Sequence, residues 1–200
     1  LYFDNIKDLN NCKFKYRFIE SPEIVGARLI SENKVIGWFQ GAMEFGPRAL
    51  GNRSILANPC NPESKVIVNN KIKFRESFRP FCPSVLEEDA MLYFTGNLKC
   101  SPFMTITYDA TEYAIQSIPS VIHTDYTARI QTVNNSDNSI FYSLLHELKR
   151  INGHGVVLNT SFNRSHEPIV CSPRDAVATY FSSGLDALII GNYLLEKDKS

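Results

Sequence analysis

Residues 139–195 decide the fold class, and they read SIFYSLLHELKRINGHGVVLNTSFNRSHEPIVCSPRDAVATYFSSGLDALIIGNYLL. Apolar residues at Ile140, Leu144 and Leu148 mark one face of a helix, which Gly153 is expected to end. GVVLNTSF then has the pattern of a buried strand, SPRDAVATYFSSG that of a helix capped by Ser172, and DALIIGNYLL that of a last strand. Because strands alternate with helices, the pattern predicts a mixed sheet covered by helices.

The upstream sequence continues this alternation. Ser21 and Pro22 begin a predicted short helix, SPEIVGARLI, and the strands KVIGWFQG and SILANP follow it. A helix is predicted over 63–72, and the strands FCPSVL and FMTITYDA flank a predicted helix, EEDAMLYF. The fold class is therefore α/β (α+β), with one domain over residues 21–200. Residues 1–20 lack clear periodicity and are predicted to be a lead-in segment from an upstream domain.

The composition limits the classes of function. The 21 Lys and Arg residues balance the 21 Asp and Glu residues, so no overall field attracts nucleic acid or an anionic membrane. No apolar run approaches the ~20 residues that a membrane span needs, and the N-terminal sequence does not resemble a signal peptide. We therefore expect a soluble cytoplasmic protein in which any anion site is local.

Neither a disulfide framework nor a protein-built metal site is expected. The cysteines are odd in number and form no CxxC pair, which fits a reducing compartment. The histidines form no HxxxH pair, and no phosphate loop of the GxxxxGK[ST] or GxGxxG type occurs. The cysteines are Cys12, Cys60, Cys82, Cys100 and Cys171.

The most informative block is EFGPRALGNRS, residues 44–54. Its glycines allow unusual backbone angles or a close approach to a ligand, and Arg48 and Arg53 offer forked donors for a phosphate or carboxylate. The alternative is a tight turn whose arginines form surface salt bridges. A concentration of charge favours the anion site, because residues 47–80 contain seven basic residues and only two acidic ones.

Within that segment, KIKFRESFRPF interleaves basic and aromatic residues. The phenylalanines Phe74, Phe78 and Phe81 are expected to anchor in the core while the basic side chains project into a cleft. Stacking on single-stranded nucleic acid is the rival interpretation, and the zero net charge counts against it. The basic residues are Lys73, Arg75 and Arg79.

Two later blocks carry polar residues. In HTDYTARIQTV, alternate positions on a strand would share one face, which is either a site or exposed to solvent. These positions are His123, Asp125, Thr127, Arg129 and Gln131. In LNTSFNRSHEPIV, short polar side chains follow a buried strand, where α/β sheets bind ligands, although an Asn/Ser-rich turn has the same composition. They include Asn159, Thr160 and Ser161.

The chain resembles the C-terminal domain of the O-carbamoyltransferases of nodulation and antibiotic biosynthesis, from about Glu20 to Glu196. Four blocks carry the resemblance: EFGPRALGNRSIL, IKFRESFRPFCPSV, HTDYTARIQTV and VVLNTSFNRSHEPIV. The resemblance implies a YrdC-like fold with a twisted, open mixed sheet. It also implies that this domain converts carbamoyl phosphate and ATP to a carbamoyl-adenylate. An upstream kinase-like, metal-containing domain would then transfer the carbamoyl group to a hydroxyl.

The resemblance also implies roles for individual residues. Lys73 and Arg79, with Arg48, would hold the phosphate of carbamoyl phosphate, and Arg129 the carbamoyl group or a nucleotide phosphate. Lys73, Arg79 and Arg129 are the expected catalytic residues. Mg2+ would accompany ATP, held mainly by phosphates and water. The expected substrate-binding residues are Arg48, Arg53, Arg75, Thr127, Asn159, Thr160 and Ser161.

Two departures from the family pattern and two alternatives accompany this hypothesis. The family usually has glycine where this chain has His166, and often a small residue where it has Tyr126. Both residues are expected to alter the wall of the pocket. One alternative is a ligand-binding or scaffold remnant without turnover. The other is an RNA-binding module, which predicts a continuous basic stripe where the sequence gives one short basic block.

Overall fold

An eight-stranded mixed sheet forms the centre of the domain. The computed structural model describes residues 15–96, 98 and 100–197, and all statements below concern that part of the chain. The strands of the sheet are β1 (Tyr16–Phe18), β2 (Ile36–Phe39), β3 (Arg53–Ala57), β4 (Cys82–Leu86), β7 (Gln131–Val133), β8 (Val156–Ser161), β9 (Ala187–Ile190) and β10 (Tyr193–Glu196). Two further strands, β5 (Thr107–Asp109) and β6 (Thr127–Arg129), pair with each other in a small second sheet.

The strand order in the main sheet is β1-β10-β9-β2-β3-β8-β4-β7. Neighbours are antiparallel except for the pairs β2 with β9 and β4 with β7, which are parallel. The helices are α1 (Pro22–Ser31), α2 (Ser64–Val68), α3 (Ala90–Tyr93), α4 (Glu112–Ser117), α5 (Ser139–Asn152) and α6 (Pro173–Phe181). This is the mixed α/β architecture that the alternating pattern predicts.

Hydrophobic residues fill both faces of the sheet. Successive residues of β8 point to opposite faces, so Val157 packs under α1 and α5 while Leu158 packs in the core on the other face. Trp38 and Leu144 belong to the first core and Tyr180 to the second, and all of these side chains are fully buried. Burial of each large apolar side chain contributes about 1.5 to 3 kcal/mol, so both layers stabilise the sheet.

The two long C-terminal helices begin and end as the sequence predicts. The Asn138 side chain accepts the N–H of Phe141 at the start of α5, and Gly153, with φ 84°, ends it in the left-handed region. In α6, Ser172 and Asp175 form a reciprocal capping box. Because these hydrogen bonds are local, the helix boundaries can be predicted from the sequence.

Three details of the predicted elements are wrong. DALIIGNYLL forms two antiparallel strands, β9 and β10, because Gly191 turns the chain with φ 52°. FMTITYDA is a strand only over Thr107–Asp109. The helix predicted over 63–72 is helical over Ser64–Val68 and continues as a single wider π-helical turn, Asn69–Lys73.

The predicted lead-in segment contributes to the sheet. Residues 1–14 lie outside the described part of the chain, but Tyr16–Phe18 pairs with β10 as an edge strand. Tyr16 is the register partner of Leu195. The sheet therefore begins before residue 21.

Two further findings concern the described residues alone. No helix among residues 15–96, 98 and 100–197 combines the length and the apolar character that crossing a membrane requires. In the same residues, no three His, Cys, Asp or Glu side chains are grouped so that they could hold a metal ion.

Gly51 is expected to be intolerant of a side chain. Its φ is 109°, and a Cβ atom there would overlap the ring of Phe141 on α5. We expect Gly51→Ala to lower the free energy of unfolding by about 3 kcal/mol, from backbone strain and overpacking together. Urea unfolding followed by the fluorescence of Trp38, the single tryptophan, measures this.

Gly41 provides the matched control. Its φ is 47°, but nothing lies within 4 Å of the position that a Cβ atom would take. Gly41→Ala should therefore cost only the backbone strain, about 1 to 2 kcal/mol. If Gly51→Ala and Gly41→Ala lower the free energy of unfolding equally, contact with Phe141 does not constrain the loop.

Candidate functional site

A cleft of about 140 Å³ opens where β8 ends. Three arginines line it, and no acidic side chain of the described residues does. The end of β8 adds hydroxyl and amide groups. Such a lining attracts a small anion, because guanidinium groups and polar donors surround a limited volume. The arginines are Arg48, Arg75 and Arg129, and the strand-end residues are Asn159, Thr160 and Ser161.

The loop that carries Arg48 is closed by a carboxylate. Glu44 Oε1 accepts the backbone N–H groups of Leu50 and Asn52, both at 2.7 Å, and that of Arg53 at 3.3 Å. Trp38 Nε1 donates to the carbonyl of Gly51 at 2.8 Å. The loop is thus tied at its base and its end, which restricts where the Arg48 backbone can lie.

A buried network of side-chain amides ties the same loop to the sheet. Gln131 Nε2 donates to the carbonyl of Leu50 at 2.9 Å, and Asn159 Nδ2 donates to that of Ala49 at 3.2 Å. Ser84 Oγ links the two amides, since it donates to Gln131 Oε1 at 2.6 Å and accepts from Asn159 Nδ2 at 2.9 Å. Three neighbouring strands, β7, β4 and β8, therefore hold one edge of the cleft.

Arg75 and Arg129 are held by neutral groups. Arg75 Nε donates to Asn69 Oδ1 at 2.7 Å, and its guanidinium lies over the Phe81 ring, 4.8 Å from the centroid. Burial, and then repulsion from Arg79, lower the pKa of Arg75 below its ordinary value. Glu76 and Cys82 favour the charged form, but more weakly. Arg75 forms no ion pair within the described residues, so its positive charge is available to a ligand.

Arg129 contacts the thiol of Cys82. Its Nε and Nη2 atoms lie 3.4 Å and 3.2 Å from Cys82 Sγ. Cys82 is itself buried and lines the cleft. Sulfur is a weak hydrogen-bond acceptor, so this contact orients the guanidinium and leaves its donors available to a ligand.

Lys73 lies behind the cleft. Its Nζ donates to the carbonyl of Ser161 at 2.5 Å and to that of Asn163 at 2.9 Å, and it contacts Asn163 Oδ1 at 2.8 Å. Burial, and then repulsion from Arg75, lower the pKa of Lys73 to about 7. Lys73 therefore positions the end of β8 and does not line the cleft.

Three other predicted site residues also lie outside the cleft lining. Arg53 is buried, where its guanidinium donates to the carbonyls of residues 40 and 41 at 2.7 Å and 3.1 Å. Arg79 is exposed and forms an ion pair with Glu76 at 3.9 Å. Thr127 Oγ1 donates to Asp125 Oδ1 at 2.7 Å. The structure thus brings together six of the ten predicted site residues around the cleft.

The two residues that depart from the family pattern share a backbone feature. Tyr126 has φ 61° and His166 has φ 63°, in the left-handed region that favours glycine. Neither residue lines the cleft. Their effect in this structure is on the turns that contain them.

Two expectations about side-chain placement are wrong. Only Phe81 of the three phenylalanines is buried, while Phe74 and Phe78 are 60% and 73% exposed. The five alternating residues from His123 do not share one strand face, because Tyr126 turns the chain. Gln131 begins a different strand, β7, and is buried.

Four further residues hold the site together and were not predicted as site residues from the sequence. Glu44 opens the first block, and its acidic side chain beside two glycines was the only available signal. Gln131 belonged to the predicted polar face of HTDYTARIQTV, but that pattern did not indicate its buried role. Cys82 and Ser84 had no local signal, since each acquires its role from strands that are distant in sequence.

Lys73 should make stability depend on pH. Its native pKa of about 7 lies below the ordinary 10.5, so the native state binds fewer protons than the unfolded state between these values. The contribution of Lys73 to the free energy of unfolding therefore rises with pH between about 7 and 10.5. Below pH 7 the lysine is charged in both states, and the full cost of burying that charge is present. Between pH 7 and 9, the free energy of unfolding of the wild type should rise by up to about 1.4 kcal/mol per pH unit relative to that of Lys73→Met.

Urea unfolding at each pH measures this difference. Lys71→Met, at an exposed position two residues away, corrects for the loss of a basic charge. A difference between wild type and Lys73→Met that stays constant from pH 6 to 9 would contradict the lowered pKa.

Comparisons with known proteins identify the family. The chain is 44% identical to nodulation protein NolNO of Sinorhizobium fredii over 86% of this chain and 25% of that protein. It is 34% identical to 3'-hydroxymethylcephem-O-carbamoyltransferase of Amycolatopsis lactamdurans, over 88% of this chain and 33% of that enzyme. The chain thus spans about a third or less of these relatives.

The fold is similar to that of a solved structure. The crystal structure of full-length HypF in the phosphate- and nucleotide-bound form superposes with a TM-score of 0.64 at 15% identity, over 87% of this chain and 25% of that chain. HypF contains a YrdC-like domain, so the predicted YrdC-like fold is confirmed. The family model for the carbamoyltransferase C-terminus matches residues 27–197, and the chain therefore belongs to the carbamoyltransferase C-terminus family.

Proposed function

We propose that this domain binds carbamoyl phosphate and ATP and forms a carbamoyl-adenylate, as the C-terminal part of a carbamoyltransferase. One observation carries the proposal: three arginines line a small cleft to which the described residues contribute no acidic side chain. Both substrates are anions whose phosphates need several fixed cationic donors. Membership of the family, and a cephem O-carbamoyltransferase among the relatives, support this choice of substrates.

Within the proposal, the arginines divide the phosphate groups between them. Arg48 and Arg75 hold the phosphate of carbamoyl phosphate, and Arg129 holds the carbamoyl group or a nucleotide phosphate. Asn159 and Ser161 orient the carbamoyl end. Lys73 acts through Ser161 as a positioning residue, and the exposed Arg79 meets the part of the ATP that extends beyond the cleft.

The proposed reaction needs no side-chain nucleophile. Water cleaves carbamoyl phosphate to carbamate and inorganic phosphate. A carbamate oxygen then attacks the α-phosphorus of ATP, and pyrophosphate leaves with the electron pair of the broken P–O bond. The arginines stabilise the charge that moves onto the phosphate oxygens during both steps. A carbamoyl group trapped on a cysteine would contradict this scheme.

Magnesium would accompany ATP in this scheme. The described residues offer no group of three metal ligands, so Mg2+ would be held by the nucleotide phosphates and water. HypF, which has a similar fold, is bound to phosphate and to nucleotide in its crystal structure, and this supports ligands of these two kinds.

Transfer to the acceptor is proposed to occur elsewhere. The relatives are about three times as long as this chain or longer, and their further region has room for a second catalytic domain. We propose a kinase-like, metal-containing domain there, which transfers the carbamoyl group from the adenylate to a hydroxyl, in the cytoplasm. The arginines line a cleft and not a continuous surface stripe, which favours small anions over RNA as ligands.

Calorimetric titration tests the proposal. Carbamoyl phosphate, and a non-hydrolysable ATP analogue with Mg2+, should each bind saturably to the purified chain. Arg75→Gln should weaken binding of carbamoyl phosphate at least about tenfold, because a charge-assisted hydrogen bond to the ligand is lost. Arg79→Gln should weaken the ATP analogue more than carbamoyl phosphate.

Arg150→Gln is the matched control. Arg150 is an exposed residue of α5 that pairs with Glu147 and lies outside the cleft lining. Its substitution should leave both affinities unchanged. If Arg150→Gln and Arg75→Gln weaken binding equally, general electrostatic attraction explains the binding and the cleft has no special role.

A further inference from the structure

We propose that Cys82 is a site of reversible oxidation by hydroperoxides, and that its oxidation closes the cleft to anions. The oxidation adds one oxygen atom to Sγ and gives a sulfenic acid. The closure rests on the proposed function, because it is a loss of anion binding. The oxidation itself can be measured whether or not the cleft binds a ligand.

The position of Cys82 differs from that of the other described cysteines. Cys82 begins β4, is 7% exposed and lines the cleft. Cys60 is half-buried elsewhere, and burial raises its pKa to about 11, which keeps that thiol protonated and unreactive. Cys100 and Cys171 are exposed and lie outside the cleft lining. Among the described residues, Cys82 is therefore the one thiol in an enclosed space of ligand size.

Positive charge lies against the sulfur of Cys82. Arg129 directs two nitrogen atoms at Sγ, with Nε at 3.4 Å and Nη2 at 3.2 Å. Arg75 lines the same cleft, and no acidic side chain of the described residues does. Reactive cysteines lie in partly accessible, electropositive surroundings of this kind. The arginines are an observation independent of the thiol, and they favour a negatively charged group beside it.

These surroundings suit attack by the sulfur on a hydroperoxide. The sulfur bonds to the outer oxygen as the O–O bond breaks, and the other oxygen leaves with the electron pair of that bond. The leaving oxygen takes the thiol proton and departs as water or an alcohol. Because negative charge develops on this oxygen, a guanidinium that donates to it stabilises the transition state. Arg129 can donate there, since its nitrogen atoms already contact the sulfur.

Oxidation changes the chemistry of the cleft wall. Sulfur is a weak acceptor, whereas the oxygen of an ionised sulfenic acid forms strong hydrogen bonds with a guanidinium. In a cleft of about 140 Å³, this oxygen takes donors of Arg129 that would otherwise meet the ligand. Its negative charge also repels a phosphate. The oxidised cysteine thus competes with an anion for the same cation.

Thiols reverse the oxidation. One thiol of dithiothreitol attacks the sulfenic sulfur, water leaves, and a mixed disulfide forms. The second thiol of the same molecule then breaks that disulfide, which returns Cys82 to the thiol and leaves dithiothreitol as a cyclic disulfide.

Trapping with dimedone measures the oxidation. The reduced chain is treated with hydrogen peroxide for increasing times, catalase ends the reaction, and the chain is unfolded in urea with dimedone, which reacts with sulfenic acids. Peptide mapping then assigns the label among the five cysteines. Cys82 should be labelled faster than the exposed Cys171, the matched control. Arg129→Gln should slow labelling of Cys82 at least about tenfold and leave that of Cys171 unchanged.

Calorimetric titration with inorganic phosphate measures the closure. Treatment of the wild-type chain with peroxide and then catalase should weaken phosphate binding at least about tenfold, and dithiothreitol should restore it. Cys171→Ser should show the same loss and recovery. In Cys82→Ser, peroxide should leave the affinity as it was before treatment, whatever its starting value.

The results separate this inference from the proposed function. Labelling of Cys82 no faster than that of Cys171 would overturn the proposed oxidation site and leave the anion cleft standing. Rapid labelling of Cys82 without weaker phosphate binding would overturn the closure. If the reduced chain binds no phosphate, the proposed function fails and the closure fails with it, while the labelling still decides the oxidation. Should Cys82→Ser not fold, the wild-type chain and Arg129→Gln decide.

Discussion

The site depends on the hydrogen bonds by which buried side-chain amides hold the carbonyls of Ala49 and Leu50. Backbone carbonyls of a loop that covers a sheet are normally satisfied by water or by a regular strand. Here Gln131 and Asn159 satisfy them, and Ser84 joins the two amides in the interior. Because an unmade bond in this buried setting is costly, the loop has one favoured position over the end of β8.

Arg75 and Arg129 are held in ways that leave their charge available to a ligand. Arg129 contacts a thiol, and Arg75 contacts an amide and an aromatic ring. Neither lies within ion-pair distance of a carboxylate of the described residues, whereas Arg79 pairs with Glu76. A carboxylate would have neutralised the cleft, and neutral acceptors orient the guanidinium groups without doing so. The cleft thus combines order with an uncompensated positive charge.

The sequence predicts what local chemistry determines. The stop at Gly153, the cap at Ser172 and the buried run at Val156 are local signals, and the elements built on them are confirmed. The choice between neighbouring arginines is not local. Arg48 lines the cleft and Arg53 is buried, although both belong to one block, because β3 places the Arg53 guanidinium over the ring of Phe39.

The exposed phenylalanines and Lys73 show the same limit. The pattern KIKFRESF predicts buried rings and projecting basic groups, yet Phe74 is exposed and Lys73 is buried. The π-helical turn that ends at Lys73 is followed by φ 47° at Phe74, and together they bury the lysine and expose the phenylalanine. The sequence pattern does not predict such a turn. The burial of Lys73 also affects the site. The ammonium of Lys73 donates to the carbonyl of Ser161 at the end of β8. If the cleft binds an anion as proposed, that anion favours protonated Lys73, and the protonated lysine strengthens anion binding by the same factor.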